Sequence, residues 1–177
     1  DSLTTGKVMV KTDKRHKTLA VTDLFSIQQD SSTGQYNYYS KVDGALANAL
    51  YLVNLDTVPV VAFATGHNEM LTVSDNLSTF TGMLNDNNFE VKEFNMLTDE
   101  IPEDASIVVL GTPTTDYTSE ELSKLEAYLG DEKMASSRTL YVTAYPTQSW
   151  ADMPNLKSFL AEWGLEPQTG VLFESDM

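Results

Sequence analysis

The chain has 177 residues, 41% hydrophobic and 10% aromatic, which is enough apolar material for a packed core and too much for a disordered polymer. Eleven Lys and Arg stand against 26 Asp and Glu, a net charge of −15 that repels phosphate backbones and anionic headgroups and so disfavours nucleic-acid and membrane-surface roles. There is no cysteine, which removes disulfides, thiolate nucleophiles and cysteine-ligated metals or clusters while leaving the redox compartment open.

The N-terminal third reads as β-rich. Val8 and Val10 alternate with polar residues, and the charged turn Thr12–Lys17 leads on to Leu19, Val21 and the pair Leu24-Phe25, the pattern of a hairpin with one solvated face. Five of the eleven basic residues fall between Lys7 and Lys17, as in a solvated turn. Asp30-Ser31-Ser32-Thr33-Gly34 is a loop by composition. Tyr36, Tyr38 and Tyr39, with Asn37, are residue types able to stack on a sugar or a partner, but alternating tyrosines are also ordinary strand residues.

Helical spacing of Val42, Ala45, Leu46, Ala49, Leu50 and Val53 predicts a helix, with Ser40 and Asp43 as a capping pair. Val58–Ala64 is a continuous apolar run suited to a strand buried on both faces, and it is far short of the ~20 residues a membrane span needs. Val73, Leu77, Phe80 and Leu84 mark a helix ending at Asn87-Asn88, and Phe89, Val91 and Phe94 mark a strand. Ile107–Leu110 forms another, stopping at Gly111. Thr118 with Glu121 makes a capping box ahead of the stripe Leu122, Leu125, Leu129, with Gly130 as the stop. Thr139–Ala144 is a strand, and Leu156, Phe159, Leu160 and Trp163 define a last helix closed by Gly164. That stripe places Trp163 in the core, whereas Trp150 and Met153 fall on a loop open to solvent.

Strands alternating with helices imply an α/β fold, a mostly parallel sheet with helices on both faces. The organisation expected is a β-rich arm over residues 1–39 and an α/β domain over residues 40–177. The start at Asp1-Ser2-Leu3 has no signal-peptide pattern. With the finish just after a strand-like Val171-Leu172-Phe173, it suggests a piece of a longer protein.

Ligands of parallel sheets bind beyond the carboxyl ends of the strands. Three loops belong there: Thr65–Glu69, Gly111–Asp116 and Tyr145–Gln148. They supply the ligand or interaction candidates Gly66, His67, Asn68, Glu69, Thr112, Asp116 and Tyr145. His67 and Glu69 place an imidazole and a carboxylate together, as in an acid/base pair or half a metal site. The competing reading is that both bind loop amides and fix the turn. It is favoured because a metal needs more ligands and the other histidine, His16, lies in the first hairpin. No G-x-S-x-G elbow, G-x-G-x-x-G or Walker pattern is present, and Ser149 is the nearest serine to a base without belonging to any motif. Asp99, Glu100, Glu103 and Asp104 lack the regular calcium-loop ladder and read as a solvated loop. No cofactor and no metal are expected.

The segment Thr65-Gly66-His67-Asn68-Glu69, at the end of a strand that follows a helix closing a β-rich arm, resembles the auxiliary domain of gliding-motility-type (GldG-like) ABC transport systems. Further matches are Glu90–Met96, Ile101-Pro102-Glu103-Asp104-Ala105, Val108–Pro113, and Thr118–Leu122 with Leu125, Tyr128 and Leu129, so that residues 40 to 177 are covered. Three departures stand out. Asn68 replaces the family's Gly, Thr112 is inserted before Pro113, and Gly130-Asp131-Glu132-Lys133-Met134 stands where the family has a Gly-Gly pair.

The resemblance implies a fold like that of class I glutamine amidotransferases, related to flavodoxin-like sheets. It implies a position on the extracytoplasmic face of the membrane, anchored by helices outside this segment, and ABC permease and ATPase subunits as partners. A non-catalytic interaction or ligand-binding role follows, with a small molecule or glycan as possible ligand. Amidotransferase chemistry is excluded by the missing cysteine nucleophile. The alternative is a hydrolase acting on a carbohydrate or peptide around His67, Glu69 and Asp116. A two-lobed solute binder ranks last, because one lobe is all the chain accounts for.

Overall fold

The computed structural model describes residues 6–131 and 137–171. The chain divides into two compact units, residues 1–58 with 86–88 and residues 59–85 with 89–177.

In the first unit, β1 (Val8–Lys11) and β2 (His16–Leu19) form the expected antiparallel hairpin, with Val8 opposite Leu19 and Lys11 opposite His16. Thr12 organises its turn: its N–H donates to Arg15 O, and its hydroxyl donates to Val53 O at 2.6 Å. Val21 does not continue the strand. It opens a single helical turn, α1 (Val21–Leu24), whose Asp23 carboxylate accepts the Ala20 N–H at 2.7 Å. A second hairpin follows, β3 (Phe25–Gln29) with β4 (Tyr36–Ser40), and its loop winds around the Asp30 carboxylate, which accepts the Ser32 N–H and hydroxyl.

The helix α2 (Val42–Asn54) packs on β1 and β2. Its cap differs from the expectation. Ser40 is still in strand conformation and Lys41 holds the N-cap position without a side-chain cap. Ala49 and Val53 are buried as expected, but Leu50 is exposed, so the apolar stripe is narrower than the spacing suggested. The division of the chain at Val58/Pro59 groups this helix with the two hairpins.

The second unit carries a four-stranded, all-parallel sheet in the order β6-β5-β7-β8, with β5 (Val60–Thr65), β6 (Glu90–Asn95), β7 (Ala105–Gly111) and β8 (Thr139–Thr143). Alternate residues of the central strands serve opposite faces, as the period of two requires. Ala62, Ala64, Val108 and Leu110 face α4 (Ser119–Leu129) and α5 (Pro154–Glu162) in the larger core. Val61, Phe63 and Val109 face the other way with Leu77 and with Leu84 of α3 (Ser78–Asp86). The α/β class with a parallel sheet and helices on both faces is therefore what the chain adopts.

The two tryptophans exchange their expected environments. Trp163 lies just past α5 as its C-cap residue and is 51% exposed. A short 3-10 turn at Trp150–Asp152 folds Trp150 inward, and Trp150 and Met153 join Leu156 and Phe159 in the larger core. Glu132-Lys133-Met134 and the strand-like Leu172-Phe173 lie outside the described residues. The acidic stretch behaves as a solvated loop: Asp99 accepts the Asn95 N–H, Asp104 pairs with Lys92 and Glu100 with Lys124.

Candidate functional site

At the carboxyl end of β5 the chain turns at Gly66, whose φ of +112° is open to glycine and strained for other residues. A Cβ there would also sit 2.7 Å from Asn95 Oδ1, the atom that accepts the Leu97 N–H. Asn68 follows at φ +51°, a left-handed conformation that asparagine tolerates better than most residues other than glycine. The turn is then tied to the end of β7. His67 O accepts the Thr114 and Thr115 N–H groups at 2.9 and 3.1 Å. Asn68 Nδ2 donates to Thr115 Oγ1, and Thr114 Oγ1 donates to Asn68 O, each at 3.0 Å.

Thr112 has φ +57°. Its hydroxyl lies 2.8 Å from that of Thr143 at the end of β8. Gln148 closes the set, its Nε2 donating to Pro113 O at 2.9 Å while its Oε1 accepts the Tyr145 N–H at 3.2 Å. The three loops expected to gather at this edge do gather, and they are hydrogen-bonded to one another.

His67 is only 2% exposed. Its ring stacks on Tyr117 with centroids 3.8 Å apart and planes at 19°, and its Nε2 lies 3.3 Å from Glu121 Oε2. Glu69 does not bind the imidazole. Its nearer oxygen is 3.9 Å from Nδ1, beyond hydrogen-bond reach, while both its oxygens accept the His67 N–H at 3.1 Å. The carboxylate therefore fixes the turn, and the imidazole is held by residues arriving with α4. Glu121 is the capping-box residue of that helix and also accepts the Thr118 N–H and hydroxyl, each at 2.8 Å.

Burial opposes the charge on Glu121, but the Thr118 backbone and hydroxyl bonds and the His67 imidazole outweigh it and hold the carboxyl below its ordinary range. A carboxylate lowered in this way stabilises the fold fully above its ordinary value of 4.5, and that contribution is lost as pH falls through the folded-state value. Urea titrations between neutral pH and about pH 3 are expected to show a steeper acid loss for the wild type than for Glu121→Gln.

Burial first, then the Glu69 and Glu121 charges, push the Tyr117 hydroxyl well above the ordinary tyrosine range. That hydroxyl has no hydrogen-bond partner among the described residues. Tyr117→Phe is thus expected to keep the stacked ring and leave stability unchanged, or raise it by up to about 1 kcal/mol, in denaturant melts at neutral pH. It should also remove the stability loss that Tyr117 contributes as pH rises above 10, where an unfolded tyrosine ionises.

Asp116 and Tyr145 lie apart from this cluster in role. Asp116 Oδ1 accepts the Tyr117 and Leu156 N–H groups and Oδ2 accepts the Asn155 N–H, so the carboxylate satisfies the first turn of α5 from another loop. Tyr145 is half-exposed and, with Thr112, Thr114, Gln148, Asp152 and Met70, lines a cleft of about 330 Å³ at the sheet edge. Ser149 also borders it, and no histidine does. The lining combines the apolar Met70 and Met153 side chains with hydroxyl groups and the Asp152 carboxylate. Among the described residues, no group of three or more His, Asp or Glu side chains is placed to hold a metal ion.

Sequence reasoning grouped seven residues as one candidate site, and the structure sorts them. Gly66, His67, Asn68 and Glu69 build the turn, Asp116 anchors α5, and Thr112 and Tyr145 face the cleft. Tyr117 and Glu121 were missed as partners of His67, although the capping box did locate the Glu121 carboxylate at the start of α4. Gln148 lay in the expected Tyr145–Gln148 loop without being singled out, and Asp152 was missed because nothing in its sequence neighbourhood distinguishes it from an ordinary loop residue.

No family model matches the sequence, and no curated protein matches it. Three chains of known structure do match, among them one described as the mmIFT52 N-terminal domain. That likeness has a TM-score of 0.51 and 18% identity, covering 67% of this chain and 52% of the other. This chain thus spans about half of that one. At such identity the likeness speaks to the α/β fold alone.

Proposed function

We propose that the chain is a non-catalytic ligand-binding or interaction domain of the GldG-like auxiliary type, on the extracytoplasmic side of an ABC-transport-associated membrane protein. The finer fold assignment that goes with this reading is class I amidotransferase-like. The observation that carries the non-catalytic part is the placement of His67. The one histidine at the sheet edge is buried between the Tyr117 ring and the Glu121 carboxylate, and no histidine lines the cleft that Ser149 borders. The sequence likeness around Thr65–Glu69 supports the transport context. The cleft bordered by Tyr145 and Asp152 is the ligand site in this reading. No helix among the described residues is long and apolar enough to cross a membrane.

Protease accessibility in intact cells, combined with membrane fractionation, tests the proposal on the native protein. The expected result is sedimentation with membranes and cleavage of this domain from outside, followed by crosslinking to a permease. A soluble, protected protein would overturn the transport context.

A further inference from the structure

The second hairpin presents an apolar face that nothing among the described residues of its own unit covers. Residues directly opposite in an antiparallel pair share a face, so the pairs Phe25–Ser40, Ile27–Tyr38 and Gln29–Tyr36 put Phe25, Ile27, Tyr36 and Tyr38 on one side. They are 37, 54, 61 and 70% exposed. Asn37 and Tyr39 lie on the other side with Ser26 and Gln28. A two-stranded hairpin standing alone is marginal in water, and natural surfaces seldom leave four large apolar side chains side by side.

We propose that this face is an isologous interface at which two copies of the chain pack hairpin against hairpin, a reading independent of the transport proposal. Charge identifies the occupant. The chain carries −15, yet between Phe25 and Ser40 its one charged residue is Asp30, which lies in the connecting loop. A two-fold interface sets a patch against itself, so like charges within it would face one another, while an apolar, uncharged patch is complementary to its own copy. A two-fold contact through a charged patch, acidic or basic, would set like charges against each other.

Area agrees with a weak dimer. Large aromatic and aliphatic side chains exposed to this extent offer on the order of 500 Å² per copy, about 1,000 Å² in total, at the lower bound for a specific interface. Face-to-face packing of two hairpins at about 10 Å also gives each one the second layer that an isolated hairpin lacks.

The salt response separates this from capture of a basic partner. Association of two like-charged copies tightens as salt screens their repulsion, whereas association with a cationic protein weakens. Sedimentation velocity of the 177-residue chain up to about 500 µM, in about 0.05 and 0.5 M NaCl, is expected to show a concentration-dependent dimer that is tighter in the higher salt. Ile27→Lys places like charges across the two-fold and should weaken the dimer at least about tenfold. Tyr38→Ser, which adds no charge, should weaken it as well. Tyr39→Ser, on the opposite face, should leave it unchanged, and circular dichroism should show every variant folded. A wild type that stays monomeric at the highest concentration in high salt overturns the proposal. Equal losses from Tyr38→Ser and Tyr39→Ser would overturn it too.

Discussion

Replacing His67 with alanine is expected to destabilise the fold by about 3–4 kcal/mol, read as a lowered urea midpoint. Two losses combine. The stacked ring against Tyr117 disappears and leaves a cavity in a site that is pinned on both sides, by the Thr114 and Thr115 bonds to His67 O and by the start of α4. The Glu121 carboxylate, already buried, also loses the imidazole that helps keep it ionised. His67→Phe separates the two effects. It retains a ring over Tyr117 and removes only the Nε2 contact, so its loss should be about half as large. A catalytic histidine would behave in the opposite way, with a melt close to the wild type and turnover abolished. A near-native melt for His67→Ala would therefore reopen the hydrolase reading.

The backbone plan was legible because it rests on periodicity. The continuous runs Val58–Ala64 and Ile107–Leu110 announced central parallel strands, since both their faces are covered, and the Thr118–Glu121 box placed the start of α4 to the residue. What periodicity cannot carry is direction at the ends of elements. Trp163 satisfies the helical spacing of α5 but falls one residue beyond its last turn and emerges into solvent, while Trp150, with no spacing to recommend it, is drawn inward by a 3-10 turn. The helix Val42–Asn54 was found and its cap was not, because Ser40 was already committed to the ladder opposite Phe25.

The candidate site divides along the same line. Gly66 was readable as a sharp turn because φ above zero selects glycine, whereas the left-handed Asn68 was not foreseen. The partner that holds His67 arrives from a helix 54 positions along the chain, through a side chain whose visible duty is to cap that helix. Asp116, read as a possible reactive carboxylate, accepts three backbone N–H groups, two of them from the first turn of α5. In both cases the residue type was noticed and its partner, distant in sequence, decided its role.

Gly111→Ala is the other change expected to have a large effect, and it acts through a close approach of two backbones. Gly111 is the last residue of β7, and a Cβ there would fall within the Leu71 carbonyl oxygen and 3.3 Å from Leu71 Cβ. The contact cannot open cheaply. The Leu71 N–H donates to Gly111 O at 2.9 Å and the Met70 N–H to Thr112 O at 3.0 Å, so relief requires breaking both bonds and moving the segment that carries His67.

A loss of about 3 kcal/mol or more is expected in urea melts, the upper end for overpacking, because the obstacle is main chain and has no alternative rotamer. Gly82→Ala supplies the contrast. Gly82 lies inside α3 with open space around its Cα, and alanine there should stabilise by about 0.5–1 kcal/mol through helix propensity alone. Opposite signs from the same substitution would show that the glycine at the end of β7 is required by the docking of the Thr65–Leu71 segment onto that strand. The geometry of His67 and of the neighbouring cleft then depends on this approach, with Thr112 held in its strained conformation by the same pair of bonds.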